Sequence, residues 1–303
     1  MNRIFLKLTT LAIELHRPLP DVLRWLENPA ALARDARESS DAAIRSYASQ
    51  GFSRENRQTL EALLARLDTF LFLPETRLAL SAETCVSFRD CLSSGVTIID
   101  VGDPPAGAER VARFWAGVLG GRLTRAILSR KVTDRTRPAW VIWEEFQEAL
   151  GRSQTEQFGR LLALARYKKV ALWFVNQQPA QVAAQEPALV RALRTNTGLE
   201  AAFRCNIEDA RALAHALPMP EAGSAAEARQ GLLEELTRLP DRTYLLWLKQ
   251  ARFRAQKVRS PRLDLQSLSD AAKQCPQRLR ARIRQGTVAV PRVELEAQVT
   301  ESE

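Results

Sequence analysis

Histidine and cysteine are scarce. The 303 residues include two histidines, His16 and His215, and four cysteines, Cys85, Cys91, Cys205 and Cys275. None stands at a metal-ligand spacing, which argues against a zinc site. The cysteines read as free thiols of a reducing cytoplasm. No apolar run is long enough to cross a bilayer. Arg3 and Lys7 precede an apolar stretch, but Glu14 interrupts it, which argues against a signal peptide. No internal repeat is apparent.

The chain is long enough for one large domain or two small ones. Apolar residues make up 46%, so a sizeable core can form. Net charge is +9 and the isoelectric point is about 9.9. That balance permits contact with nucleic acid or an anionic membrane surface and proves neither.

Residues 1–95 read as mostly helical. Ile4, Phe5, Leu8, Leu11, Ala12 and Leu15 recur at helical spacing. Pro18 and Pro20 stop that helix, and Asp21 is placed to cap the next, over 22–27. Pro29 to Ala48 is Ala- and Arg-rich and reads as helical. Gly51 breaks the region in two. Ser53 is the expected cap of a helix whose apolar face is Leu60, Leu63, Leu64, Leu67, Phe70 and Leu71. Such a stripe is more often core than functional surface.

From residue 96 the pattern changes to strands alternating with helices. Val96 to Val101 is β-branched and nearly all apolar, as a buried parallel strand should be. It ends in Gly102-Asp103-Pro104-Pro105. The spacing then predicts helices over 107–130, 155–167, 187–196, 207–217 (capped by Asn206) and 227–239. Strands are predicted over 139–143, 170–175, 199–203, 244–248 and 253–258. Residues 262–303 are polar and basic, with one helix expected around 267–284.

The chemistry centres on Pro138 to Gln178. The strand Ala139-Trp140-Val141-Ile142-Trp143 runs into two acids, Glu144 and Glu145. A helix follows, and then a second apolar strand, 170–175, ending in the amides Asn176, Gln177 and Gln178. Strand, helix and strand make a βαβ unit. In an open parallel sheet the carboxyl ends of the strands face the ligand crevice. Glu144, Glu145 and Gln177 are therefore expected together on one sheet edge. Two carboxylates there suit a nucleotide hydrolase. One holds Mg²⁺, a hard cation that keeps several waters, and the other orients the attacking water. An amide on the next strand can sense the γ-phosphate.

Each residue also has a plainer reading. The acid pair can be a strand ending at the surface. Arg166, with Arg160, Lys168 and Lys169 nearby, can be part of a solvated basic face favoured by the helix dipole. Gln177 can simply tie down a loop.

The order of parts is more specific than any one of them. An acid-ended strand, a helix leading to Arg166, a strand leading to Gln177, then Asn196 and the Arg204–Asp209 junction resemble the C-terminal half of the conjugative coupling ATPases of type IV secretion. These belong to the FtsK/HerA superfamily of ring-forming DNA pumps. The resemblance runs from about Phe70 to Pro261, and Cys91 to Asp100 resembles the strand preceding the acid pair. It implies a parallel RecA-like α/β sheet of the P-loop NTPase type. It divides the chain into a helical insertion (1–95), the C-terminal part of a motor domain (96–261) and a basic tail (262–303). By resemblance, Glu144 and Glu145 match the acid pair, with Glu144 on Mg²⁺ through water. Gln177 matches the sensor glutamine, and Arg166 the arginine offered to a neighbouring subunit's nucleotide. The implied cofactors are ATP and Mg²⁺. The implied partners are DNA bound without sequence preference, further copies of the chain in a ring, and relaxosome or secretion-channel proteins. The implied place is the cytoplasm or, through partners, the inner membrane.

Two departures stand out. The family has Asp then Glu where this chain has Glu144 then Glu145. No G-x-x-x-x-G-K-[ST] phosphate loop occurs in the sequence. ATP and Mg²⁺ are therefore expected only if the phosphate-loop half is supplied, the chain itself being expected as a truncated or split product that is not active alone. The alternatives are a non-catalytic regulatory or DNA-binding subunit, which offers Arg166 to an intact partner, and a degenerate gene product.

Overall fold

The computed structural model describes residues 2–82, 86–101, 109–146, 155–177, 187–216, 224–248 and 255–262. They fall into two compact units, one ending at Val86 and the other starting at Ser87. Outside the described residues lie Cys85, Cys275, Gln147, Gln178, the turn 102–105, the break 218–223, the start of the strand expected over 253–258, and the tail with its helix.

The first unit is helical, as its periodicity requires. Helices α1 (Asn2–Glu14), α2 (Leu19–Glu27), α3 (Pro29–Asp35), α4 (Ala42–Ser46), α5 (Arg57–Leu71) and α6 (Pro74–Ser81) surround one core. Leu8, Leu11, Val22, Trp25, Leu32, Phe52 and Leu71 lie at its centre. The stretch 29–48 is not one helix. α3 runs into a 3-10 turn, and α4 into a π-helical turn, Tyr47–Gly51. A Cβ on Gly51 would stand 2.8 Å from Tyr47 Cδ2, so the ring lies where a side chain would be.

Two caps differ from expectation. Asn56, not Ser53, caps α5, its Oδ1 accepting from the N–H groups of Gln58 (2.9 Å) and Thr59 (3.3 Å). Asn sits in the extended conformation that an N-cap needs, whereas Ser53 is already inside a 3-10 turn. α2 begins at Leu19, so Asp21 falls in its first turn and pairs with Arg24 at 3.1 Å instead of capping.

Two carboxylates tie this unit together. Asp35 is 5% exposed and accepts from Trp25 Nε1 (2.9 Å), Arg24 Nη2 (2.8 Å) and Arg34 Nε (3.1 Å). Burial pushes its carboxyl up, but the hydrogen bonds from Trp25 and Arg34 and the charge of Arg24 outweigh it and hold the group below its ordinary value. Glu14, which breaks the apolar run of α1, receives hydrogen bonds from Ser39 Oγ, Ser40 N and Ser40 Oγ, all at 2.6 Å. Those bonds, Ser39's first, lower its carboxyl as well.

The second unit holds the strands. α7 (Phe88–Cys91) and α8 (Glu109–Leu128) lead to β1 (Ala139–Glu144), α9 (Thr155–Leu164) and β2 (Val170–Val175). β1 and β2 pair in parallel, Ala139 opposite Val170 and Glu144 opposite Val175. This is the expected βαβ unit. α10 (Pro187–Asn196) follows, then β3 (Leu199–Phe203), α11 (Ile207–Ala216), α12 (Ala225–Arg238), β4 (Thr243–Leu248) and β5 (Gln256–Arg259). Asn206 caps α11 as expected, accepting from the Asp209 N–H at 2.9 Å.

The sheet differs from a single parallel one. Among the described residues only β1 and β2 are parallel; β3, β4 and β5 form a separate antiparallel sheet in that order. The run 96–101 is not a strand. Val96 is 90% exposed and Ile98 74%, and among the described residues no strand pairs with it. β-Branching favours an extended backbone, but a strand also needs a neighbour to share its ladder.

One face of the parallel sheet is buried. Ala139, Val141 and Trp143 of β1, and Val170, Leu172 and Phe174 of β2, pack against Ile127 of α8, Phe158 and Leu161 of α9, and Leu189 of α10. Phe146 and Phe158 stack there at 6.0 Å between centroids.

Candidate functional site at the sheet edges

The parallel register fixes where the acids lie. Glu144 is the last residue of β1, exposed, beside Val175 at the end of β2. Glu145 continues the ladder one residue further, its N–H donating to the Val175 carbonyl at 3.0 Å. Its φ is +46°, the left-handed region that a non-glycine residue rarely enters. The backbone thus swings out of the strand at the second acid. Sequence patterning gave no signal of this, because glutamate has no preference for that region. Gln177 is exposed, two residues beyond Val175. Glu144, Glu145 and Gln177 therefore share the carboxyl edge of the βαβ unit.

Arg166 is elsewhere. α9 ends at Leu164, so the residue belongs not to the helix but to the turn 165–169. That turn closes on itself: Lys168 N–H donates to Leu164 O (2.9 Å), Lys169 N–H to Arg166 O (3.0 Å) and Val170 N–H to Ala165 O (2.9 Å). It feeds the amino end of β2. Six residues of strand, at about 3.3 Å each, separate it from the acid edge by about 20 Å. The structure brings the two acids and the glutamine together and leaves the arginine at the opposite edge.

Of the cations near Arg166, Arg160 is exposed, but Lys168 and Lys169 are engaged. Lys168 Nζ donates to Arg130 O at 2.9 Å, and Lys169 Nζ to Thr133 O at 3.0 Å and to Asp134 O and Thr136 O at 3.3 Å. Arg130 locks the same corner. Its Nη1 donates to Lys168 O (3.1 Å) and Lys169 O (3.0 Å), its Nη2 to Leu92 O (3.0 Å) and Arg137 O (2.8 Å). Arg166 is exposed on a turn whose two lysines donate to backbone carbonyls. The clamp on Arg130 was invisible in the sequence, where that residue reads as one more charge at the end of a helix.

Among the described residues, no group of three or more His, Cys, Asp or Glu could hold a metal. Cys91 and Cys205 are free thiols. No described helix is long and apolar enough to cross a membrane.

No family model matches the chain, and no curated protein matches it. Solved structures do. The fold is similar to that of the bacterial conjugative coupling protein TrwB in an unbound form, with a TM-score of 0.54 and 14% identity, over 85% of this chain and 61% of that one. It is equally similar to plasmid coupling protein TrwB in complex with the non-hydrolysable GTP analogue GDPNP, with a TM-score of 0.54 and 14% identity, over 86% and 62% of the two chains. At that identity the likeness is one of fold. The present chain spans about six-tenths of the length of the coupling-protein chains it matches.

Proposed function

We propose that the chain is the acid-edge portion of a nucleotide-driven DNA pump of the conjugative coupling type, used in conjugation or type IV secretion and inactive alone. The observation that carries this reading is the carboxyl edge of the βαβ unit. It gathers Glu144, Glu145 and Gln177, while Arg166 lies on the turn at the other edge, which suits a residue offered to a neighbouring molecule. The coupling-protein fold supports it.

The residues fit one implied cofactor and not the other. Two adjacent carboxylates suit Mg²⁺, which takes one or two protein carboxylates and completes its shell with water and phosphate oxygens. Glu144 would hold it, and the ion's chemistry is to neutralise phosphate charge. The triphosphate of ATP finds no matching cradle, since no phosphate loop occurs in the sequence. Its contacts must come from outside these residues. With those contacts supplied, Glu145 would be placed to orient water, Gln177 to meet the terminal phosphate, and Arg166 to meet the nucleotide of a neighbouring subunit. The partners that follow are DNA bound through its backbone, further copies of the chain in a ring, and relaxosome or secretion-channel proteins, in the cytoplasm or at the inner membrane.

The test is hydrolysis. The purified chain should turn over no ATP. Turnover above background that Glu145→Gln abolishes would overturn the claim of inactivity. The missing loop also favours a second reading, a non-catalytic subunit that lends Arg166 to an intact pump. There, adding the chain raises the pump's rate and adding the Arg166→Ala form does not.

A further inference from the structure

Two helices of the second unit, α11 and α12, flank a cleft of about 280 Å³. α11 lines it with Arg211, Ala214 and His215, which share one helix face at i, i+3 and i+4. α12 lines it with Arg229, Gln230 and Leu233. Ala214 is buried and Leu233 half-buried, so the floor is apolar. Arg211, His215 and Arg229 are exposed and make a basic rim. None of the lining residues is acidic. Glu208 and Glu227 lie on the same two helices, yet neither arginine pairs with them or, among the described residues, with any other carboxylate. Gln230 is engaged differently, donating from Nε2 to Glu234 at 3.1 Å. The cleft thus gathers cationic donors without a counter-charge.

We propose that this cleft binds a small phosphate monoester, a molecule with a dianionic phosphate and a compact apolar body. A guanidinium is a planar fork that meets phosphate oxygens in pairs. Two forks on one group use several oxygens at once. A monoester presents three unbridged oxygens, whereas the diester of a nucleic-acid backbone presents two and carries a single charge. His215 adds a ring donor. The apolar floor of Ala214 and Leu233 suits the body of the ester. The volume lies just under the range of small-molecule sites, roughly 300–1,000 Å³, and is too small to seat a helix of a partner protein. None of these residues belongs to the acid edge or to the Arg130 corner, so the cleft stands or falls apart from the nucleotide reading.

The experiment is a titration of the full chain with phenyl phosphate, inorganic phosphate and dimethyl phosphate, read by the backbone amide shifts of α11 and α12. Phenyl phosphate should give saturable shifts there and bind more tightly than inorganic phosphate, with dimethyl phosphate the weakest. Arg211→Gln and Arg229→Gln should each weaken phenyl phosphate about tenfold, the loss of a charge-assisted contact. Both side chains are exposed, so circular dichroism should show both variants folded. Arg238→Gln removes the same charge from α12 outside the cleft and should leave the affinity unchanged. The proposal fails if no titrant gives a saturable shift, if inorganic phosphate or dimethyl phosphate binds as tightly as phenyl phosphate, or if Arg238→Gln costs as much as the cleft variants. It fails too if a short oligonucleotide without a terminal phosphate displaces phenyl phosphate at lower concentration than inorganic phosphate does, because the cleft is then a stretch of nucleic-acid surface.

Discussion

Removing the Arg130 guanidinium is the sharpest test of how the Arg166 corner is held. Arg130 lies two residues beyond α8, half-buried, and donates to four carbonyls belonging to three separate segments. A buried hydrogen bond from a charged donor contributes about 1.5–3 kcal/mol. This group is only half-buried, and the carbonyls of Arg137 and Lys168 can turn to water. About 1 kcal/mol per bond, with one bond's worth regained by hydration, leaves a loss of about 3 kcal/mol for Arg130→Ala. In a unit of this size each kcal/mol moves the melting temperature by about 2–4 °C, so the second unit should melt about 6–12 °C earlier. Scanning calorimetry on the full chain reads this directly, with the first unit's transition unmoved as internal control. Arg130→Lys keeps the charge but not the fork that reaches both sides, and should recover less than half of the loss. A shift below about 2 °C for Arg130→Ala would mean that water replaces all four bonds and that the corner is not held by this residue.

Trp25→Phe removes the indole donor to Asp35. The carboxyl is held below its ordinary value in the folded state, so its contribution is present above the ordinary carboxylate pKa and is lost as pH falls through the folded value. The variant should therefore be about 1–2 kcal/mol less stable near neutrality, and the gap to wild type should close in acid; a gap independent of pH contradicts the argument. With a phosphate-loop partner restored, Arg166→Ala should abolish turnover while sparing nucleotide binding, a loss of about 10³-fold or more. Mixed with Glu145→Gln subunits it should regain activity; a dead mixture of assembled subunits rejects the role. DNA affinity, expected from the net charge of +9, should fall steeply between low and moderate salt, and a flat response in a filter-binding titration rules out backbone contact.

Much of the second unit could be read residue by residue. β2, α10 and β3 fall at 170–175, 187–196 and 199–203, as periodicity and punctuation placed them. Those segments carry their own stop signals, Asn176 after β2 and Thr197-Gly198 after α10. The run 96–101 misled because composition reports the wish for an extended backbone and not the presence of a partner. The caps misled for a related reason. Asp21 and Ser53 have the right chemistry, but a cap works only where the first turn begins, and Leu19 and Asn56 decided that. The acid edge could be read in outline from strand ends alone. The left-handed Glu145 and the four-way reach of Arg130 depend on tertiary placement and leave no local trace.

The turn before β2 and the turn after β1 sit at opposite ends of one short sheet, and that polarity restricts how copies can cooperate. A two-fold contact with the two sheets antiparallel sets each copy's arginine turn beside the other's acids and closes at a pair. For the sheets of successive copies to run the same way, Arg166 of one meets the acids of the next through a head-to-tail contact. Such a contact leaves one unmatched head and one unmatched tail on every pair. The series then ends in only two ways, as a closed circle or as a fibre that keeps growing. The step of rotation between neighbours, not the strength of the contact, selects between them.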